Sequence, residues 1–235
     1  MENTRRNFIK KSVAATAGVA IGGLGVSSKS YQNILGANDR INMSFAGMHG
    51  RGRALIKSAS EVSNVHAAYI CDVDSNVLNE RTAKAEELFG HRPKKEEDFR
   101  KILEDKSVDA VAIATPDHWH APMAIMAAQA GKHVWVEKPC SHNPYEGELL
   151  VKVQEKTGRV IQMGNQQRSA PTSIQAIQDI RDGLIGNVYF GKAWYSSGRG
   201  PIGHGQKAEV PGWLNWELWQ GPAPRRPYTH NTWDY

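Results

Sequence analysis

The sequence has little of several features, and each shortage excludes a class of protein. It has two cysteines in 235 residues, Cys71 and Cys140, which are too few for a disulfide scaffold. The net charge is +5, but the first 36 residues hold five basic residues and one acidic residue, which leaves +1 for the remainder. That remainder has no basic stripe of the kind that binds nucleic acid. The weakly apolar run at residues 13–26 is shorter than the roughly 20 residues that span a bilayer.

The N-terminus has the pattern of an export signal. Arg5 and Arg6 are followed by Phe8, Ile9 and Lys10, and then by the run at residues 13–26, which is rich in alanine and glycine. The pattern resembles a twin-arginine signal, which directs folded proteins to the Tat translocase. It predicts a periplasmic or otherwise exported protein with a signal segment at residues 1–36. A disordered basic N-terminus is the alternative.

From residue 41 onward, short apolar runs alternate with helical periodicity, which is typical of βαβ units and a parallel sheet. Strands are predicted at residues 41–46, 65–71, 108–114, 133–136 and 160–163. Helices are predicted at residues 53–60, 77–89, 122–130 and 146–156, with Pro122 opening the third. In the second helix the predicted core positions are Val77, Ala85, Leu88 and Phe89. The predicted fold class is α/β, with a doubly wound parallel Rossmann sheet at residues 37–165.

The pattern changes after Gly164. A helix is predicted at residues 172–181 and a strand at residues 188–195, followed by a stretch rich in tryptophan, glycine and proline. We interpret residues 166–235 as the first part of a second domain with too little chain to close a core. The sequence is therefore expected to be C-terminally truncated.

A glycine-rich turn follows the first predicted strand. Gly47, Gly50 and Gly52 lie between strand and helix, where backbone N–H groups can approach a pyrophosphate. His49 stands where the usual G-x-G-x-x-G pattern has its middle glycine. Asp72 ends the second strand 20 residues after Gly52, and an acid there binds the ribose hydroxyls and favours NAD over NADP. Asp74 is the alternative acid, and a turn that only packs helix on strand is the alternative interpretation.

Two polar segments follow later strands, at the sheet edge where ligands of parallel sheets bind. The first is Thr115, Pro116, Asp117, His118, Trp119 and His120. Its two histidines have no carboxylate or cysteine at zinc spacing, so no metal site is predicted; helix capping by Asp117 and core packing by Trp119 are the alternatives. The second is Glu137, Lys138 and Pro139. A partly desolvated lysine beside a cationic nicotinamide should have a lowered pKa and act as a general acid/base, whereas an ordinary surface lysine is the alternative.

These motifs, taken in order, resemble the glucose–fructose oxidoreductase / inositol dehydrogenase / MocA family. The glycine turn is joined by residues 71–74, 114–120, 131–134, 137–139, 163–168 and 216–222. The resemblance implies an NAD-binding Rossmann domain and a second α/β domain with an open, mainly antiparallel sheet. It also implies a small-molecule substrate of the sugar type, a homo-oligomer, and a catalytic histidine that would lie beyond Tyr235.

The resemblance also assigns roles to residues. Lys138 becomes the catalytic lysine. The implied cofactor contacts are Gly47, Met48, His49, Gly50, Arg51, Gly52, Asp72, Thr115, Pro116, Asp117, His118, Trp119, His120, Glu137, Lys138 and Asn165. Substrate contacts are suggested at Arg168, Trp194 and Arg199, where an aromatic face can stack on a sugar ring, although tryptophan is also a common core residue.

Three functions follow as hypotheses. The first is an NAD-dependent oxidoreductase acting on a sugar, cyclitol or sugar derivative. An exported enzyme has no free NAD pool, so its cofactor is expected to be tightly bound and recycled within each cycle. The second is an NAD-dependent, redox-neutral glycosidase of a related branch. The resemblance implies that members of this branch lack a lysine at the position of Lys138. The third is a non-catalytic protein that binds sugar or nucleotide.

Overall fold

The structure is a computed structural model that describes residues 39–196, 198 and 203–230. The predicted signal segment and Arg199 lie outside these residues. The strands are β1 (Ile41–Ala46), β2 (Val65–Cys71), β3 (Lys94–Glu96), β4 (Ala110–Ile113), β5 (His133–Glu137) and β6 (Ile161–Gly164). The helices are α1 (Gly50–Ser60), α2 (Ser75–Phe89), α3 (Phe99–Glu104), α4 (Asp117–Gln129), α5 (Pro144–Thr157), α6 (Pro171–Arg181) and α7 (Trp216–Gln220), with a 3-10 turn at Gln166–Ser169.

The six strands form one sheet in the order β3-β2-β1-β4-β5-β6. Every neighbouring pair is parallel. The strand order reverses between β1 and β4, and a crevice for a ligand opens at the carboxyl ends of the strands at such a point. The predicted doubly wound parallel sheet is confirmed.

The sheet is buried on both faces because successive side chains of a strand point to opposite sides. In β4, Val111 and Ile113 belong to one apolar cluster, whereas Ala112 between them belongs to the other. The first cluster includes side chains of α4 and α5, and the second includes side chains of α1 and α2. The continuous apolar run of β4 therefore fills two cores at once.

Several predicted helix details were wrong. Helix α1 begins at Gly50 rather than residue 53, because the glycine turn itself forms the first helical turn. Helix α4 begins at Asp117, so Pro122 lies inside the helix rather than opening it. The inward face of α2 carries Leu78, Thr82 and Ala85, and the hydroxyl of Thr82 is satisfied by the carbonyl of Leu78 at 2.7 Å. The predicted core positions of α2 are confirmed: Ala85 is fully buried, and Val77, Leu88 and Phe89 are half-buried and pack against the same core.

The predicted strand at residues 188–195 is also wrong. These residues are neither helix nor strand, and Tyr189, Phe190, Trp194 and Tyr195 are all exposed. A strand needs a neighbouring strand to satisfy its backbone groups. The described part of the chain provides no such neighbour for this segment. No helix within the described ranges is long and apolar enough to cross a membrane.

Residues 203–230, which we call the aromatic strap, return to the carboxyl edge of the sheet. An isolated antiparallel bridge joins Lys207 to Thr229, so the two ends of the strap meet. Between them lies the short helix α7, and the side chains of Leu214, Gln220 and Tyr228 are buried. A segment that sequence analysis treats as the start of a second domain thus packs on the Rossmann sheet.

Candidate functional site: a nucleotide crevice

The glycine turn is so closely packed that two of its glycines have no room for a side chain. Gly47 has φ +82°, and a Cβ there would lie 2.5 Å from the backbone of Ala114 and Thr115. A Cβ on Gly52 would lie 1.9 Å from the carbonyl oxygen of Gly47. These contacts bring the start of α1 against the ends of β1 and β4, at the position where the strand order reverses.

The N-terminus of α1 is open toward the crevice. A Cβ on Gly50 would meet nothing within 4 Å. His49 precedes the helix without capping it, and the first turn contains no acidic residue. Backbone N–H groups at such a helix end attract anions. The turn therefore fits a pyrophosphate, which its N–H groups and the helix dipole would hold.

Asp72 and Asp74 occupy the end of β2 and are both buried. The carboxylate of Asp72 accepts the N–H of Met48 at 2.6 Å and the N–H of Asp74 at 2.9 Å. Burial raises the pKa of Asp72 above its usual range, although the two N–H bonds oppose that effect. Asp74 caps α2 by accepting the N–H groups of Asn76 and Val77, so of the two acids Asp72 is the one committed to the glycine turn.

His49, the unusual residue of the turn, lies beside Asp74. Its Nε2 is 3.6 Å from Oδ2 of Asp74, and its side chain is half exposed. The histidine thus turns toward the loop after β2. The structure therefore gives a physical account of His49 that the sequence did not.

A cavity of about 1000 Å³ lies over the turn, at the upper end of the range for small-molecule sites. Gly47, His49, Gly50, Asp72, Thr115, Pro116, Asp117 and Trp119 line it. Its other lining residues include two groups that sequence analysis missed. One is the segment Glu97, Asp98, Phe99 and Arg100 before and at the start of α3, and the other is Gly203, Gly205, Leu218, Trp219 and Thr229 of the strap.

The segment after β4 uses its polar atoms for contacts within the protein. Nε1 of Trp119 donates to the carbonyl of Leu218 at 2.9 Å, and Nε2 of His118 lies 2.8 Å from the carbonyl oxygen of Trp219. His120 is buried, with its ring nitrogens 2.6 Å and 2.7 Å from the carbonyl oxygens of Pro139 and Thr115. These three side chains join loops together, and Trp119 also lines the cavity with Thr115, Pro116 and Asp117. The cofactor contacts of this segment stay predictions.

Glu137 connects β5 to the glycine-turn helix. Its carboxylate accepts the Nε–H of Arg51 and, at 3.0 Å, the backbone N–H of Lys138. The guanidinium of Arg51 lies 5.9 Å from the centre of the Trp135 ring. Glu137 is buried, whereas Lys138 is exposed. The partial desolvation that sequence analysis expected for Lys138 is therefore not provided by the described residues.

The remaining predicted residues are not gathered into the cavity. Met48 is fully buried in the core, so only its backbone faces the turn. Asn165 and Arg168 are exposed after β6, and Trp194 is 77% exposed. Within the described ranges, no three His, Cys, Asp or Glu side chains lie close enough together to bind a metal ion.

Comparison with known proteins identifies the family. Residues 41–165, more than half of the chain, match the model of the Gfo/Idh/MocA oxidoreductase family with an NAD-binding Rossmann fold. The chain belongs to this NAD-binding family. That membership confirms the cofactor prediction and agrees with the open N-terminus of α1.

Two curated relatives match a longer part of the chain. A glycosyl hydrolase family 109 protein of Saccharopolyspora erythraea is 33% identical over 210 residues, covering 82% of this chain and 45% of the relative. An alpha-N-acetylgalactosaminidase of Tannerella forsythia is 31% identical over 215 residues, covering 83% of this chain and 45% of the relative. The chain thus spans about half the length of these relatives.

A solved structure shares the fold and was determined with a nucleotide. The WlbA dehydrogenase of Bordetella pertussis, in complex with NADH and UDP-GlcNAcA, is 26% identical with a TM-score of 0.54. The match covers 61% of this chain and 42% of that one. The family thus includes nicotinamide-dependent dehydrogenases as well as relatives named as glycosidases.

Proposed function

We propose that this chain is the NAD-binding part of an enzyme that oxidises a sugar, cyclitol or sugar derivative, with Lys138 as the general acid/base. The observation that carries the proposal is the link from Lys138 to the nucleotide site. Its backbone N–H is held by Glu137, and the same carboxylate is held by Arg51 in the helix that begins at the glycine turn. A lysine at this strand end is exposed to substrate while its backbone stays fixed relative to the turn.

The chemistry divides between the cofactor and the chain. NAD, held at the glycine turn, would supply the acceptor for the hydride that leaves the carbon of the alcohol. The amine of Lys138 accepts the hydroxyl proton, so that the alcohol becomes a carbonyl with its atoms and electrons balanced. Glu137 and Arg51 act as positioning residues, since they hold the strand end rather than the substrate. Asp72 is proposed to accept the adenosine ribose hydroxyls, and Asn165 to contact the nicotinamide half.

The redox-neutral glycosidase is the second candidate. The two relatives favour it, because one is a glycosyl hydrolase family 109 protein and the other an alpha-N-acetylgalactosaminidase. Such an enzyme oxidises the sugar transiently, eliminates the aglycone, adds water and reduces the ring again, so that NAD is unchanged overall. Lys138 favours the oxidoreductase instead, because the glycosidase branch is expected to lack it. Both candidates need the same nucleotide site.

One substrate screen separates the two candidates. The complete protein, loaded with NAD, is incubated with free sugars, cyclitols and aryl glycosides, and NADH absorbance and phenol release are recorded together. Net NADH with a free sugar or cyclitol supports the oxidoreductase. Release of the phenol without net NADH supports the glycosidase, and no product with any substrate contradicts both.

The role of Lys138 is tested by substitution. Lys138→Ala should lower kcat by roughly 10²–10⁴-fold, the usual contribution of a general acid/base, while NAD stays bound. Lys152→Ala is the matched control, because Lys152 is also an exposed lysine, on α5. An unchanged kcat in Lys138→Ala would remove the lysine from the mechanism.

Export through the Tat pathway, to the periplasm or beyond the cell, is part of the proposal, as is a homo-oligomeric complete protein. Arg5 and Arg6 support the export route. A fusion of the leader to a reporter that is active only after export should lose its signal when both arginines are changed to lysine. A reporter exported equally well by both versions would contradict a twin-arginine signal.

A further inference from the structure

The aromatic strap is a folded unit held together by its own side chains. The rings of Trp216 and Trp219 stack with centroids 4.6 Å apart, and Tyr228 meets Trp216 edge-on at 5.4 Å. Nε1 of Trp216 donates to the carbonyl of Arg226 at 3.0 Å, and the N–H of Arg226 donates to the side chain of Gln220 at 2.6 Å. Aromatic pairs of this kind add stability beyond the area they bury. The strap therefore has a defined shape of its own.

The strap is attached to the sheet edge on two sides of the crevice. On the β2 side the attachment is by backbone: Ser75 N–H donates to the carbonyl of Trp213, and Asn215 N–H donates to the carbonyl of Val73. On the β4 side the attachment is by side chains. The indole N–H of Trp119 lies 2.9 Å and 3.1 Å from two carbonyl oxygens of the strap, and His118 contacts one of the same oxygens.

Strap residues between these attachments line part of the nucleotide cavity. Leu218 and Trp219 of the strap line it together with Gly47, Gly50 and Asp72. The cavity of about 1000 Å³ is partly open, and the strap supplies part of its lining. A nucleotide on the turn would lie beside these strap residues, so the attachments that hold them would affect how fast it leaves.

We propose that the aromatic strap is the outer wall of the nucleotide site and sets the rate at which NAD leaves, with Trp119 and His118 as its releasable attachment. The β4 side is the releasable one because single side chains make it, whereas backbone groups flanking the bridge between Asp74 and Leu214 hold the other side. This explains why the ring nitrogens of Trp119 and His118 bond to carbonyl groups of the strap. The proposal deepens the tightly bound cofactor of the proposed function but requires no particular reaction.

The test measures nucleotide release in the complete protein and does not depend on turnover. Protein loaded with NADH is mixed with excess NAD, and the decay of bound NADH fluorescence gives the dissociation rate. Trp119→Phe keeps an aromatic ring and removes the N–H that holds the strap. Trp216→Phe is the matched control, because it also removes an indole N–H bound to a carbonyl, but one within the strap.

Trp119→Phe should release NADH about tenfold faster than the wild type, as expected for the loss of one hydrogen bond of ordinary strength. Trp216→Phe should stay within about twofold. Equal rates for Trp119→Phe and the wild type, or equal acceleration in both variants, would overturn the proposal. If Trp119→Phe does not fold, His118→Ala tests the neighbouring attachment and should also speed NADH release. His118→Gln has a side chain that can donate a hydrogen bond, so it should restore part of the slow release. Because no substrate is present, failure here leaves the proposed reaction untouched.

Discussion

The carboxyl edge of the sheet has a side lined by the aromatic strap and a side that the strap does not line. At the ends of β1, β2 and β4, the glycine turn and Asp72 line a cavity together with residues of the strap. At the ends of β5 and β6, Lys138 and Asn165 are exposed. In the proposed function the two sides have different tasks, because a tightly bound nucleotide stays while substrate comes and goes. We propose that the strap-lined side holds the nucleotide and that substrate binds on the side of Lys138.

On the strap-lined side, we expect the largest disruption from a substitution at Gly52. Gly52→Ala places a Cβ 1.9 Å from the carbonyl oxygen of Gly47, so the turn must shift. We expect the free energy of unfolding to fall by roughly 1–3 kcal/mol, as for other overpacked sites, and NAD binding to be lost. Thermal unfolding and titration calorimetry with NAD measure the two effects.

Gly50→Ala is the matched change, two residues earlier in the same helix. Its Cβ meets nothing within 4 Å, and alanine favours a helix over glycine by up to about 1 kcal/mol. We expect unchanged or higher stability together with at least tenfold weaker NAD binding, because the new methyl group enters the phosphate space. Normal NAD affinity in Gly50→Ala would show that the nucleotide does not lie against the turn.

Asp72→Asn should have a smaller effect on NAD binding than either glycine substitution. Asparagine offers one side-chain oxygen for the N–H groups of Met48 and Asp74, so one of them loses its acceptor. We expect a loss of about 1–3 kcal/mol in stability and a weaker preference for NAD over NADP. Binding of both nucleotides, measured side by side, checks the preference. If the preference is unchanged, Asp74 becomes the better candidate for the ribose.

Asp72 should also make the stability of the protein depend on pH. The pKa of Asp72 is raised in the folded protein, so between the ordinary aspartate value and the raised one the folded state holds a proton that the unfolded state has lost. Wild-type stability should therefore fall as pH increases through that interval. Asp72→Asn should lack this fall in urea unfolding curves, and a fall of the same size in the variant would assign it to another group.

The smallest effect on nucleotide binding is expected far from the crevice, in the turn that leads into β4. Asp105 accepts hydrogen bonds from Ser107, Tyr69 and Lys94, and those from Ser107 are the main reason that the pKa of Asp105 lies well below its usual range. Its stabilising contribution is present above the ordinary aspartate pKa of about 3.9 and is lost as pH falls toward the lowered value.

Asp105→Asn should therefore lose about 1–2 kcal/mol near neutral pH and show a shallower loss of stability on acidification. NAD affinity should stay within twofold of the wild type. Asp179→Asn on α6 is the control, because that carboxylate accepts one amide hydrogen bond at an exposed site. A clear change in NAD affinity for Asp105→Asn would mean that the two edges of the sheet are coupled.

Sequence alone predicted the parts of this molecule that depend on local signals. The ends of the five strands predicted for the sheet were correct to within about two residues, because a strand buried on both faces is apolar throughout, as at Val111, Ala112 and Ile113. The short strand β3 and the helix α3 after it were not predicted. The glycine turn was also recognised, because glycines between a strand and a helix have a specific conformational use. Gly47 and Gly52 show that use in their contacts.

The strap could not be predicted, because its contacts join residues about a hundred positions apart. Nothing near Trp119 indicates that its indole binds the carbonyl of Leu218. For the same reason His49 stayed unexplained until its distance to Asp74 was known. The strand wrongly predicted at residues 188–195 is the converse error. That segment has the local pattern of a strand. The described structure contains no neighbouring strand with which it could pair.

The contact between Gly221 and Trp119 restricts how this family of sequences can diverge. A Cβ on Gly221 would lie 2.0 Å from the indole ring, so no larger residue fits at 221 while tryptophan occupies 119. A lineage that gains a side chain at 221 must shrink residue 119 in the same period, and would loosen the strap as it does so. If the strap sets the rate of NAD release as proposed, natural variants with both changes should release the nucleotide faster than variants that keep Gly221 and Trp119.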